Sequence, residues 1–103
     1  MLEKSIEERL RKGIKKMGGL CLKWVSPGYT GVPDRMILLP GGAILFVELK
    51  SPGKKERKRQ QYVQKQLRKM GFTVYSTVDS AAEVDEIIRK ATQMVVGRET
   101  HEV

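Results

Sequence analysis

The chain has 103 residues, with 20 Lys and Arg against 12 Asp and Glu and a net charge of +8. That length allows one domain with a modest core, and the single cysteine, Cys21, excludes an internal disulfide and a cysteine-built zinc cluster. No apolar run approaches the roughly 20 residues of a membrane span, and the charged start MLEKSIEERL lacks the apolar core of a signal peptide, so the expectation is a soluble protein of a reducing compartment.

Residues 3–17 read as a helix. Ser5 and Glu8 have the spacing of a capping box, Ile6, Leu10, Ile14 and Met17 form one stripe, and Gly18-Gly19 stops it. Glu7 lies on the flank of the stripe, at the edge of the core; a Glu there also suits the positive start of a helix, which is the competing reading. Residues 20–25 alternate as a strand, with Cys21 and Trp24 assigned to the core. Residues 26–32, SPGYTGV, are turn-rich and lead straight into Asp34, so this loop borders any cleft that Asp34 faces.

Residues 31–50, GVPDRMILLPGGAILFVELK, give two apolar strands, 35–39 and 43–49, around Pro40-Gly41-Gly42. The second is apolar on both faces, as in a buried central strand, yet Glu48 and Lys50 end it on the face of Ile44 and Phe46. A three-residue loop sets Leu39 opposite Ala43, and the same register sets Asp34 opposite Glu48; a two-residue loop would break that pairing. Opposed residues have Cβ atoms roughly 4.5–5.5 Å apart. Two carboxylates that close repel by on the order of a few kcal/mol at an effective dielectric of about 20. A divalent cation removes the penalty and takes both as hard oxygen ligands. The competing reading is a buried Glu48–Lys50 ion pair with Asp34 in a turn.

Ser51-Pro52-Gly53 breaks the chain. Residues 55–70 then form a helix with Val63, Leu67 and Met70 facing the core and Gln60 at the edge of that stripe. From residue 50 to 69 there are nine Lys and Arg and one acid, Glu56. Such a run points to nucleic acid before membrane. Lys54, Lys55, Arg57, Lys58 and Arg59 line the helix start, where free amides also attract phosphate. Lys23, Ser26 and Tyr29 are further candidates for backbone contact or base stacking; for Tyr29, packing under its loop is the alternative. Residues 72–77 alternate as a strand, and Ser80 and Glu83 cap a last helix with Val84, Ile87, Ile88 and Ala91 as its apolar face. The domain is expected to span residues 1–96, with 97–103 a flexible tail that holds His101 away from any site. The order α-β-β-β-α-β-α predicts an α/β fold, a small mixed sheet flanked by helices.

Pro33-Asp34, thirteen intervening residues and Glu48-Leu49-Lys50 match the PD-(D/E)XK nuclease signature. The wider strings GGLCLKWVSPGYTGVPDR, VELKSPGKK and GFTVYSTVDS, with a Gln-bearing helix between the last two, resemble the VRR-NUC family of virus-type replication-repair nucleases over about residues 5 to 90. The short chain is similar to the stand-alone members often encoded by phages, which implies the cytoplasm of a bacterial or phage-infected cell.

The resemblance implies a metal-dependent DNA endonuclease. Asp34, Glu48 and the Leu49 backbone carbonyl would hold Mg²⁺ or Mn²⁺. Lys50 would position the attacking water or stabilise charge on the phosphate. Glu7 and Gln60 match the Glu and Gln that assist at such sites; for Gln60, local hydrogen bonding is the competing reading. Branched DNA, including Holliday junctions, is the implied substrate and a homodimer the implied assembly. A non-catalytic DNA-binding subunit and a nuclease acting on RNA are the alternatives.

Overall fold

In the computed structural model, which describes residues 2–50 and 55–101, the elements are α1 (Leu2–Lys16), β1 (Leu20–Lys23), β2 (Arg35–Leu38), β3 (Ile44–Leu49), α2 (Lys58–Lys69), β4 (Thr73–Val78) and α3 (Ala81–His101). The element order is the one the sequence predicts. The strands form one mixed sheet in the order β1-β2-β3-β4. β2 is antiparallel to both β1 and β3, and β4 runs parallel to β3 after the α2 crossover.

The β2–β3 turn sets the register. The Leu39 amide donates to the Ala43 carbonyl at 2.9 Å and the Gly42 amide to the Leu39 carbonyl at 3.1 Å. Gly41 and Gly42 have φ of 87° and 91°, a left-handed conformation that glycine adopts without a Cβ clash. The loop therefore has three residues. Ile37 pairs with Leu45 and Arg35 with Val47, the register in which Asp34 opposes Glu48.

Alternation along β3 divides the core in two. Leu45, Val47 and Leu49 pack with Ile6, Leu10 and Ile14 of α1 and Val84, Ile87 and Ala91 of α3. Phe46 faces the other way, against Val63 and Leu67 of α2 and Val74 of β4. Helices α1 and α3 thus cover one face of the sheet and α2 the other. Trp24 is half-buried against this second cluster, its ring centroid 5.0 Å from that of Phe46.

Two expectations are corrected. Met70 is 67% exposed, because α2 ends at Lys69 and the helical period does not carry past its C-cap. Strand β1 stops at Lys23, and Val25 is exposed. Helix α3 runs from Ala81 to His101. No helix among the described residues is long and apolar enough to cross a membrane.

Candidate active site

The carboxylates of Asp34 and Glu48 meet on the α2 face of the sheet. Asp34 sits one residue before β2, and its carbonyl accepts from the Trp24 amide at 2.8 Å, which extends the β1–β2 ladder to it. The Asp34 amide donates to Glu48 Oε1 at 3.0 Å. In return the Leu49 amide lies 3.4 Å from each Asp34 carboxylate oxygen. Glu48 is only 4% exposed, a depth at which a carboxylate needs partners. Its Oε2 accepts from Lys50 Nζ and from Gln60 Nε2, both at 3.1 Å.

Gln60 ties this pair to α2. Its Oε1 accepts from Lys50 Nζ at 3.2 Å and from the Arg57 amide at 2.9 Å. The second contact occupies a free donor at the helix start. One side chain therefore caps α2 and holds the Glu48–Lys50 pair.

A β-bulge lies beside Glu48. Val47 pairs with Tyr75 and Leu49 with Val78, so Ser76 and Thr77 together face Glu48. Thr77 has φ of 55°, a strained conformation for a β-branched residue. Its hydroxyl donates to Glu56 Oε1. Bulges locally re-aim side chains and end pairing. Near it, Gln64 on α2 is 2% exposed, and its Nε2 has no hydrogen-bond partner. The bulge carries no glycine, so alternation alone does not reveal it.

Glu7 is paired elsewhere. Its Oε1 lies 2.6 Å from Arg35 Nη2, on the α1 side of the sheet. Arg35 follows Asp34 directly, so strand alternation turns the two to opposite faces. Cys21 shares that side; burial pushes its thiol above the ordinary value, with Arg35 pulling the other way.

The predicted DNA contacts separate similarly. Lys23 is exposed and pairs in register with Arg35, away from Asp34 and Glu48. Ser26 is half-buried, and its carbonyl accepts from the Tyr29 amide at 3.2 Å. Lys55, Arg57, Lys58 and Arg59 are exposed around the start of α2. Arg59 is engaged: its Cζ lies 4.6 Å from the Tyr29 ring centroid, and its Nε donates to the Thr30 carbonyl at 3.0 Å. Lys54 lies outside the described residues.

The donor set fits a hard divalent cation. Among the described residues no third His, Cys, Asp or Glu joins Asp34 and Glu48 in a cluster able to hold a metal. Two carboxylates without a closed cage suit Mg²⁺, which keeps several waters and binds through one or two carboxylates plus substrate phosphate. Leu49 adds to the set. An extended residue directs its N–H and C=O to the same side, so its carbonyl points toward the Asp34 side with its amide.

No family model matches the chain. It is 55% identical over 53 residues to "Putative nuclease p44" of Acyrthosiphon pisum secondary endosymbiont phage 1, a match that spans 52% of this chain and 57% of that protein. A solved structure described as "VRR_NUC domain" superposes with a TM-score of 0.78 at 30% identity, over 86% of this chain and 96% of the solved one. With that likeness over nearly the whole of the solved domain, the chain belongs to the VRR-NUC family.

Proposed function

We propose that the chain is a metal-dependent DNA endonuclease that hydrolyses phosphodiester bonds, with branched DNA as its substrate. The observation that carries this is the opposition of Asp34 and Glu48 on one face, with Lys50 and Gln60 on the same carboxylate. A Mg²⁺ or Mn²⁺ bound there supplies a Lewis acid for the scissile phosphate and lowers the pKa of a bound water.

The chain's own residues divide the work. Asp34 and Glu48, with the Leu49 carbonyl, provide hard oxygen ligands. Lys50 presents a cation beside them, positioned to stabilise charge that develops on the phosphate. Gln60 fixes the orientation of both Glu48 and Lys50 and so limits their reorganisation. The exposed cations of α2 hold the strand by its phosphates, a sequence-independent contact. Glu7 positions Arg35 behind Asp34 rather than touching the phosphate.

Under the same proposal the chain acts as a homodimer. Leu20 and Leu22 of edge strand β1 and the neighbouring Val25 are 57%, 43% and 68% exposed. A second copy related by a two-fold axis pairs this edge with itself and spaces two sites for paired cuts. Light scattering of wild type and of Leu20→Lys/Leu22→Lys checks that arm; an unchanged mass rules out this interface.

The test of the activity is cleavage of labelled linear, flap, fork and four-way junction DNA, and of matched RNA, with Mg²⁺, Mn²⁺ or EDTA. Metal-dependent cuts in branched DNA are expected. Tight DNA binding without cleavage under any condition identifies a non-catalytic subunit, and preferential RNA cleavage overturns the substrate.

A further inference from the structure

Tyr29, Arg59 and Tyr62 form a stack that the catalytic scheme does not use. The Arg59 guanidinium carbon lies 4.6 Å from the centroid of Tyr29 and 5.3 Å from that of Tyr62. Both distances are within cation–π reach. The rings come from different elements, Tyr29 from the loop before Asp34 and Tyr62 from α2. Arg59 is fixed between them by the bond from its Nε to the Thr30 carbonyl. Gly31 lets the loop come this close: its φ is 91°, and a Cβ there would meet Arg59 Cγ at 2.8 Å.

The rings nonetheless remain open to solvent. Tyr29 is 45% and Tyr62 50% exposed. Helix α2 does not need Tyr62 for its core, since Val63, Gln64 and Leu67 are its buried residues. Two pinned, half-exposed rings are therefore a surface with one ordered geometry and little ordering entropy left to lose. The surrounding charge selects the partner. Residues 57–69 carry six Lys and Arg and no acid. Aromatic rings set among backbone-binding cations are the arrangement by which proteins hold unpaired strands, because every base has a π-face.

We infer that Tyr29, Arg59 and Tyr62 are a stacking platform for an unpaired base of the DNA strand entering the Asp34–Glu48 site. A base inside a duplex is already stacked on both sides, and freeing it costs a few kcal/mol. A base at a fork, flap or open junction offers its face at no such cost. The platform thus favours DNA that carries at least one unpaired nucleotide beside the cut, and it supplies a physical basis for choosing branched over linear duplex. This inference rests on the proposed DNA cleavage and narrows its substrate.

The experiment measures binding in EDTA, so that it does not depend on chemistry. A fork with an unpaired 2-aminopurine at the branch is compared with a blunt duplex of equal length. Wild type is expected to bind the fork more tightly and to change the 2-aminopurine emission through stacking. Tyr62→Leu, whose fold is checked by circular dichroism, is expected to weaken fork binding by about 10-fold and to lower the fork-to-duplex ratio, while Tyr62→Phe retains both. An unchanged ratio in Tyr62→Leu overturns the inference, as does equal weakening on fork and duplex. So does a loss in Tyr62→Phe as large as that in Tyr62→Leu. A wild type that cuts DNA with Mg²⁺ but binds fork and duplex equally removes the platform alone. A wild type that neither binds nor cuts any DNA removes the proposed function with it.

Discussion

Asp34 and Glu48 face each other across β2 and β3, and the backbone amide of the first donates to Oε1 of the second at 3.0 Å. The main chain thus anchors one oxygen of the buried carboxylate, while the Lys50 and Gln60 side chains hold the other. The reverse contact, from the Leu49 amide to Asp34, places the second carboxylate by the same means. Two carboxylates are thus held side by side by the main chain, and the cost of organising them is met during folding.

Gln60→Ala tests whether α2 contributes to that order. It removes one donor from Glu48 and one acceptor each from Lys50 and the Arg57 amide. Loss of the cap alone is expected to cost about 1 kcal/mol in denaturant unfolding. The metal concentration for half-maximal cleavage is expected to rise as well, because Glu48 loses its orientation. A variant that loses stability yet keeps its metal dependence shows that Gln60 is only a cap.

The parts of this site differ in how far the sequence discloses them. Gly41 and Gly42 announce a tight turn, strand periodicity carries its register outward, and Asp34 arrives opposite Glu48 as the spacing predicts. Gln60 stands where the helical period puts it, at the edge of the α2 stripe. The period misleads at Met70, because periodicity does not mark where a helix ends. Glu7 matches a family pattern, but Arg35 claims its carboxylate, a partner that lies 28 residues away in the chain. The Ser76-Thr77 bulge is silent in the sequence because tertiary packing, with no glycine or proline to mark it, imposes it.

Lys50→Met separates charge stabilisation from metal binding. Lys50 Nζ is 3.1 Å from Glu48 Oε2, so the variant removes a cation that competes for that oxygen. Metal affinity by calorimetry is expected to hold or rise, while the single-turnover rate falls by about 10²–10³. Full activity at saturating metal contradicts a catalytic role and leaves Lys50 as a counter-ion of Glu48.

Combined replacement of Lys55, Lys58, Lys65 and Lys69 by Ala removes exposed cations at or near the surface of α2 without touching the Arg59 stack. Duplex binding is expected to weaken for all sequences alike. Each lost phosphate contact should reduce the log–log salt slope by about 0.9. An unchanged slope assigns these lysines to a merely solvated face.

Gln64→Leu is expected to stabilise the protein. The Gln64 Nε2 is buried without a hydrogen-bond partner, and an unmet buried donor costs about 1–3 kcal/mol. Leucine of similar volume relieves the polar cost and joins the Val63 and Leu67 side of the core. Chemical denaturation checks it; a fall in stability shows that the amide is satisfied in solution.

In the proposed function Asp34 and Glu48 are the metal-binding pair. That assignment is checked by cleavage of forked DNA across a Mg²⁺ titration with Asp34→Asn and Glu48→Gln, each confirmed to be folded and to bind DNA in EDTA. No cleavage by either variant is expected at any metal concentration, with binding in EDTA retained. Cleavage near the wild-type rate with ordinary metal dependence, by either variant, contradicts it.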